Sequence, residues 1–191
     1  MLLALDAYTE VQVTQEQENL FKGCLRGDLR SQMDFYQNYQ GQVFNSAYRI
    51  LRDRVSAEDI TQETFITAFE RLSEIREIEK VGGWMNRIAV NKSLNALKKD
   101  KGRWLSLDQN DIPESEELND DWLDDIDVDK VYSAIEDLPP GYRTILNLFL
   151  IEDYSHAEIG EELGITESTS RSQYTRAKKK LKEIFHDHAS R

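Results

Sequence analysis

Residues 155–172, Ser155-His-Ala-Glu-Ile-Gly-Glu-Glu-Leu-Gly-Ile-Thr-Glu-Ser-Thr-Ser-Arg-Ser172, decide the fold. Ser155 is a favoured N-cap, and Ile159 and Leu163 give the segment behind it one apolar face. Gly164 suits the left-handed residue that ends a helix. Ile165-Thr166 then leads into a long helix predicted from Glu167 to Phe185. A short helix, a tight turn and a longer helix are the layout of a helix-turn-helix. In the longer helix Tyr174, Ala177, Leu181 and Ile184 recur at steps of three and four, so they face a core. The opposite face carries Arg171, Ser172, Thr175, Arg176 and Lys179. A helix about 10–12 Å across fits the DNA major groove, where Arg pairs bidentately with guanine and hydroxyls bond bases or phosphates. Its first turns would enter the groove, and the lysines further along would meet phosphates. A Lys-rich helix end also suits the macrodipole with no ligand at all, so the preceding helix and turn carry the DNA reading.

Upstream, Pro139-Pro140-Gly141 predicts a turn and Tyr142 to Leu150 a dense apolar helix, with helical structure resuming near Val128. Ser106 to Asp129 holds eleven Asp or Glu and no Lys or Arg. With Pro113 inside it and no sustained apolar period, it reads as an extended acidic linker. From Leu20 to Lys101 helical periodicity dominates. Tyr39, Val43, Ala47, Ile50 and Leu51 follow a buried-stripe rhythm. Ser56 is the expected N-cap of a second helix, with Glu58 and Asp59 in its first turn. Phe65, Phe69 and Leu72 form the apolar face of that helix. Asp59, Gln62, Glu63, Ile66 and Glu70 form another stripe, which alone reads as a solvated acidic face. Gly82-Gly83 interrupts the pattern before a third helix that contains Trp84, Ile88, Leu94 and Leu97 and ends in a basic run. Trp84 is read as a core aromatic. No strand alternation or internal repeat is evident. The expected fold is all-α: a 1–19 extension, a helical domain over 20–104, an acidic linker over 105–128 and a second helical domain over 129–191.

The net charge of −12 looks wrong for a DNA binder, but the linker accounts for most of it. Without it, 24 basic residues face 36 − 11 = 25 acidic ones. Two segments are then strongly basic: Lys92 to Arg103 and Arg171 to Lys182. The lone Cys24 excludes an internal disulfide and fits a reducing compartment. Met1-Leu-Leu-Ala-Leu is broken by Asp6 and lacks a basic flank, so it makes a poor signal peptide. No apolar run approaches the roughly 20 residues that span a bilayer, so no membrane insertion is expected and the cytoplasm is the expected location. There is no Gly-rich phosphate loop, no metal-ligand spacing and no HExxH motif, so neither an enzyme nor a cofactor or metal is expected. The run from Asp120 to Asp129 lacks the mid-loop glycine and final Glu of a calcium loop.

Three segments in register carry a resemblance. Arg52-Asp-Arg-Val-Ser-Ala-Glu-Asp-Ile-Thr-Gln-Glu-Thr-Phe-Ile-Thr-Ala-Phe-Glu-Arg-Leu resembles the polymerase-binding segment of extracytoplasmic-function sigma factors. Gly83-Trp-Met-Asn-Arg-Ile-Ala-Val-Asn-Lys is similar to their −10 reading helix. Leu138-Pro-Pro-Gly-Tyr-Arg, Tyr154-Ser-His-Ala-Glu-Ile and Thr169-Ser-Arg-Ser-Gln-Tyr-Thr-Arg-Ala-Lys are similar to their −35 domain. The match runs from Leu20 to Phe185. It implies that the chain directs promoter-specific initiation. Asp59, Gln62, Glu63 and Ile66 would dock on the clamp helices of the polymerase's largest subunit, and the C-terminal domain would meet the flap. Asn91 would help read a −10 base turned out of the stack, with Ile75, Arg76 and Lys80, in the loop from Ile75 to Met85, at the base pocket. Asn86 and Arg87 join them, and Lys92, Lys98 and Lys99 would hold the opened strand's phosphates. Arg171, Ser172, Gln173, Thr175, Arg176 and Lys179 would contact the −35 element. The linker would thread the polymerase cleft, its carboxylates imitating phosphate charge, or serve only as a solvating spacer.

Some positions depart from the family. Val usually stands where Ser170 does, Arg or Lys where Gln173 does, and a basic residue is common near Phe149. Each missing contact is worth about 1–3 kcal/mol, which implies weak or unusual −35 recognition, or help from a protein docked on this domain, such as an anti-sigma factor. The alternative is a helix-turn-helix regulator that binds DNA and never docks on polymerase.

Overall fold

The structure, a computed structural model, describes residues 15–99 and 133–189. The start of the predicted N-terminal extension and the whole acidic linker lie outside the described residues. All regular structure among the described residues is helical. The first half contains α1 (Gln15–Leu25), α2 (Leu29–Leu51), α3 (Arg54–Arg71) and α4 (Val81–Lys99). The second contains helical residues 133–136, then α5 (Pro140–Leu150), α6 (His156–Leu163) and α7 (Glu167–Ala189).

Local chemistry sets these ends, and in three places moves them from the expected positions. Helix α3 starts before Ser56, because the Asp53 carboxylate accepts the Ser56 amide at 2.8 Å and is the true N-cap. A carboxylate in β-conformation at that position satisfies an orphan amide and complements the dipole. Gly82-Gly83 does not break α4 but lies inside its first turn. A Cβ on Gly82 would sit 3.1 Å from Gln42 Nε2 and 3.4 Å from the Tyr39 ring, so the glycine lets α4 approach α2 closely. The predicted loop from Ile75 to Met85 therefore shrinks to Ile75–Lys80, which includes a short 3-10 turn at Ile78–Lys80. Helix α5 begins at Pro140 with Pro139 as its cap, since proline fits the first helical position, where the amide has no partner. Ser155 caps α6 as expected, in a full capping box with Glu158, and Gly164 ends that helix at φ 68°.

Alternating apolar spacing on α2, α3 and α4 builds the first core: Phe35, Val43, Ala47 and Leu51 meet Phe65, Leu72, Met85, Val90 and Leu94. Phe35 stands edge-on to Phe65, with ring centroids 6.3 Å apart. Each large side chain buried here contributes about 1.5–3 kcal/mol. The same cluster continues into Ile145, Leu148, Tyr154, Ile159 and Leu163, so the two halves pack against each other. A second, smaller core joins Ala134, Ile135, Leu138 and Leu146 to Ala177 and Leu181 on α7.

Candidate nucleic-acid and protein interfaces

On α3, Phe65 and Ala68 point inward and leave an outer stripe. Asp59, Gln62 and Glu63 are exposed, and Ile66 is 60% exposed between acidic neighbours. Val55, at 67% exposure, extends the stripe by one helical repeat. Sequence reasoning missed it because the helix was expected to start at Ser56. Val55, Asp59, Gln62 and Ile66 are spaced 4, 3 and 4 apart, the spacing of one helix face.

The side chains expected to meet −10 DNA lie on α4 and the turn before it. Arg76 is exposed, and Lys80 pairs with Glu77 at 2.6 Å. Ile75 is half-buried and packs against the core, so it is more wall than contact surface. The Asn86 Oδ1 accepts the Gln42 amide at 3.1 Å. Lys92 pairs with Glu63 at 3.2 Å, which joins the acidic stripe to the basic helix. Lys98 and Lys99 are exposed in the last turn of α4, where the macrodipole favours cations. Arg87 and Asn91 are engaged by the other half of the molecule. Arg87 bridges to Glu158 and lies 5.0 Å from the centre of the Tyr154 ring, and the Tyr154 hydroxyl donates to Asn91 Oδ1 at 3.4 Å. Trp84 is half-buried against the first core.

On α7, Arg171, Thr175 and Lys179 are exposed, and Ser172 and Arg176 are half-buried. Arg171 is held by Glu167 at 2.6 Å, the Thr175 hydroxyl donates to the Arg171 carbonyl at 3.2 Å, and the Ser172 hydroxyl to the Thr169 carbonyl at 3.0 Å. Gln173 does not belong with these residues. It is 1% exposed, on the inner stripe of Ser170, Gln173, Ala177 and Leu181, away from the exposed face that carries Arg171, Thr175 and Lys179. The spacing of 3, 4 and 4 that puts Ala177 and Leu181 in the core puts Gln173 there too. Ser170 is fully buried, and its hydroxyl is hydrogen-bonded to His156 Nδ1 at 3.0 Å. The His156 ring stacks on Phe149 at 4.4 Å, and burial holds its pKa below the usual histidine value. Ser170, Gln173 and Phe149 thus all pack in the seam of the helix-turn-helix.

Further ion pairs cross between the halves. Arg49 meets Glu152 at 3.3 Å, with the Glu152 side chain only 3% exposed, and Arg52 meets Glu136 at 2.6 Å. The Asn147 amide donates to the Arg49 carbonyl at 3.2 Å. No local spacing announces these ion pairs, whose residues lie 103 and 84 positions apart in the chain. Among the described residues no group of side chains could hold a metal, and no helix is long and apolar enough to cross a membrane.

Comparison with known proteins agrees with this geometry. Residues 35–103 match the Sigma-70 region 2 model, and residues 129–181 match the Sigma-70, region 4 model. The chain is 30% identical over 183 residues to the RNA polymerase sigma-H factor of Pseudomonas aeruginosa, covering 88% of this chain and 94% of that one. It is 29% identical over 162 residues to the ECF RNA polymerase sigma factor SigE of Mycolicibacterium smegmatis, covering 82% of this chain and 62% of that longer one. The sigma factor RpoE of Bartonella quintana, solved with the anti-sigma factor NepR, superposes with a TM-score of 0.50 at 18% identity, covering 81% of this chain and 96% of that chain.

Proposed function

The chain belongs to the extracytoplasmic-function sigma factors of the sigma-70 family, and from this premise we propose how its two helical domains divide the work of promoter-directed transcription initiation. The first domain, over 20–104, docks on core RNA polymerase through the α3 stripe of Asp59, Gln62, Glu63 and Ile66. It reads the −10 element with Asn91 and its neighbours on α4, while Lys92, Lys98 and Lys99 hold the opened strand. The second domain, over 129–191, reads the −35 element with Arg171, Ser172, Thr175, Arg176 and Lys179. The linker over 105–128 spans the polymerase cleft between them. The protein works in the cytoplasm, and its activity is restrained by an anti-sigma factor, as NepR binds RpoE in Bartonella quintana.

The observation that carries this reading is the exposed face of α7. A capped helix and a left-handed glycine turn present Arg171, Thr175 and Lys179 outward, while the opposite stripe is buried. That is the geometry of a helix offered to a major groove. The test is a reconstituted transcription assay with sigma-free core polymerase, sheared genomic DNA and sequencing of transcript 5′ ends. Discrete start sites sharing upstream elements are expected. Charge reversal of Asp59 and Glu63 should abolish co-elution with core enzyme, and Asn91→Ala should lower initiation without affecting co-elution. Random initiation, or co-elution unchanged by the reversal, sinks the assignment.

A further inference from the structure

We propose that the N-terminal segment, residues 1–14, docks on the elbow between α1 and α2, with its leucines over Leu25, Leu29 and Met33. Among the described residues, six large apolar side chains are exposed. Val55 and Ile66 belong to the α3 stripe, and Leu150 stands alone. The other three, Leu25, Leu29 and Met33, share one short stretch of chain, and Leu29 is 80% exposed. Leu29 and Met33 are four apart on α2 and so are neighbours on its surface, while Leu25 ends α1 just before the elbow. A single exposed leucine is ordinary, but apolar side chains grouped at one turn mark a surface that something covers.

The elbow is firmly built. The Asp28 carboxylate accepts the Ser31 amide at 2.9 Å, and the Asp28 amide donates to the Gly23 carbonyl at 3.1 Å. Gly27 makes the turn at φ 75°, and a Cβ on Gly23 would overlap Ser31, so α1 and α2 touch there.

Charge and reach select the occupant. Arg26 and Arg30 are exposed beside the apolar group, while Asp28 is engaged as the α2 N-cap. Residues 1–14 offer Leu2, Leu3 and Leu5, the carboxylates of Asp6 and Glu10, and no Lys or Arg. An apolar, acidic segment complements an apolar, basic elbow. The segment joins α1 at Gln15, and that helix of 11 residues runs back from the elbow for about 16 Å. Fourteen residues span up to about 46 Å, so about five cover the return and the rest reach the patch.

The test uses the full chain with photoreactive p-benzoylphenylalanine in place of Leu29, an exposed position whose replacement leaves the core alone. Irradiation and peptide mass spectrometry should locate the cross-link within residues 1–10 of the same molecule. The same probe in place of Val55 is the control. Helix α2, with 23 residues, is twice as long as α1, so Gln15 packs near its middle, and a segment merely tethered there would reach both probes alike. The Val55 probe should give no cross-link to residues 1–14. Asp6→Arg with Glu10→Arg should lower the Leu29 cross-link yield about threefold, and adding Arg26→Glu with Arg30→Glu should restore it. Equal labelling from both probes, a cross-link to a second copy or to another part of the chain, no cross-link at all, or a yield indifferent to the charge reversal overturns the proposal.

Discussion

Replacing Ser170 with Ala probes the buried polar seam of the helix-turn-helix. The substitution deletes the hydroxyl of a fully buried residue and leaves His156 Nδ1 without its 3.0 Å partner at a residue only 8% exposed. Losing the bond and stranding a desolvated ring nitrogen should cost about 1–2 kcal/mol. For a cooperative unit of 191 residues that lowers the melting temperature by about 2–8 °C. His156→Phe keeps the stacking on Phe149 and removes the polar atom, so the double variant should recover much of the loss. A double-mutant cycle should return a coupling of about 1 kcal/mol. The pH dependence has a definite sign. The folded pKa of His156 lies below the ordinary 6.5, through desolvation first and the nearby Arg171 charge second. Below pH 6.5 the unfolded chain therefore binds a proton that the folded one refuses, and stability falls as acidity rises. His156→Phe should flatten that fall. Thermal melts by circular dichroism between pH 5 and 8 measure all of this. Zero coupling, together with a pH profile unaffected by His156→Phe, would refute the reasoning.

Other substitutions test the remaining structure. Asp53→Ala removes the cap of α3 and should cost about 1 kcal/mol in chemical denaturation, whereas Ser56→Ala should cost much less. Gly41, with open space at its Cβ position inside α2, should gain about 0.5–1 kcal/mol on change to Ala. Gly160 should behave oppositely: a Cβ there lies 2.9 Å from the Ile165 carbonyl oxygen, so Gly160→Val should cost about 2 kcal/mol or more and reduce promoter-dependent transcription. Lys98→Ala with Lys99→Ala should lower the logarithmic salt slope of single-stranded DNA binding by about 1.4, read by anisotropy across a salt series.

Much of the architecture was legible because apolar spacing and end signals agreed. Ser155, Glu158 and Gly164 announce α6 in the sequence, and the 3-and-4 spacing of Ala177 and Leu181 orients α7. Where two local signals compete, the chain alone does not decide between them. Asp53 and Ser56 are both good caps, and only geometry shows which one accepts the amide. A glycine pair costs helix propensity and so reads as a break, but a Cβ on the first would crowd Gln42 and Tyr39 of α2. The resemblance puts Gln173 on the DNA face, against a periodicity that buries it. The cross-domain pairs, Arg49–Glu152 above all, carry no spacing in the chain and follow only from how the halves meet.

Glu158 sits at a junction of two scales. One carboxylate oxygen accepts the Ser155 amide and hydroxyl, holding the start of a short helix, and the other reaches the Arg87 guanidinium of the neighbouring domain. Hydrogen bonds to the Ser155 amide and hydroxyl, and then to Arg87, pull its pKa down to about 2. The group thus stays ionised at any acidity a living cell meets, and its hold on Arg87 responds to ions and competing polyanions but not to protons. Any loosening of that first helical turn would also slacken the grip between domains, because one carboxylate serves both.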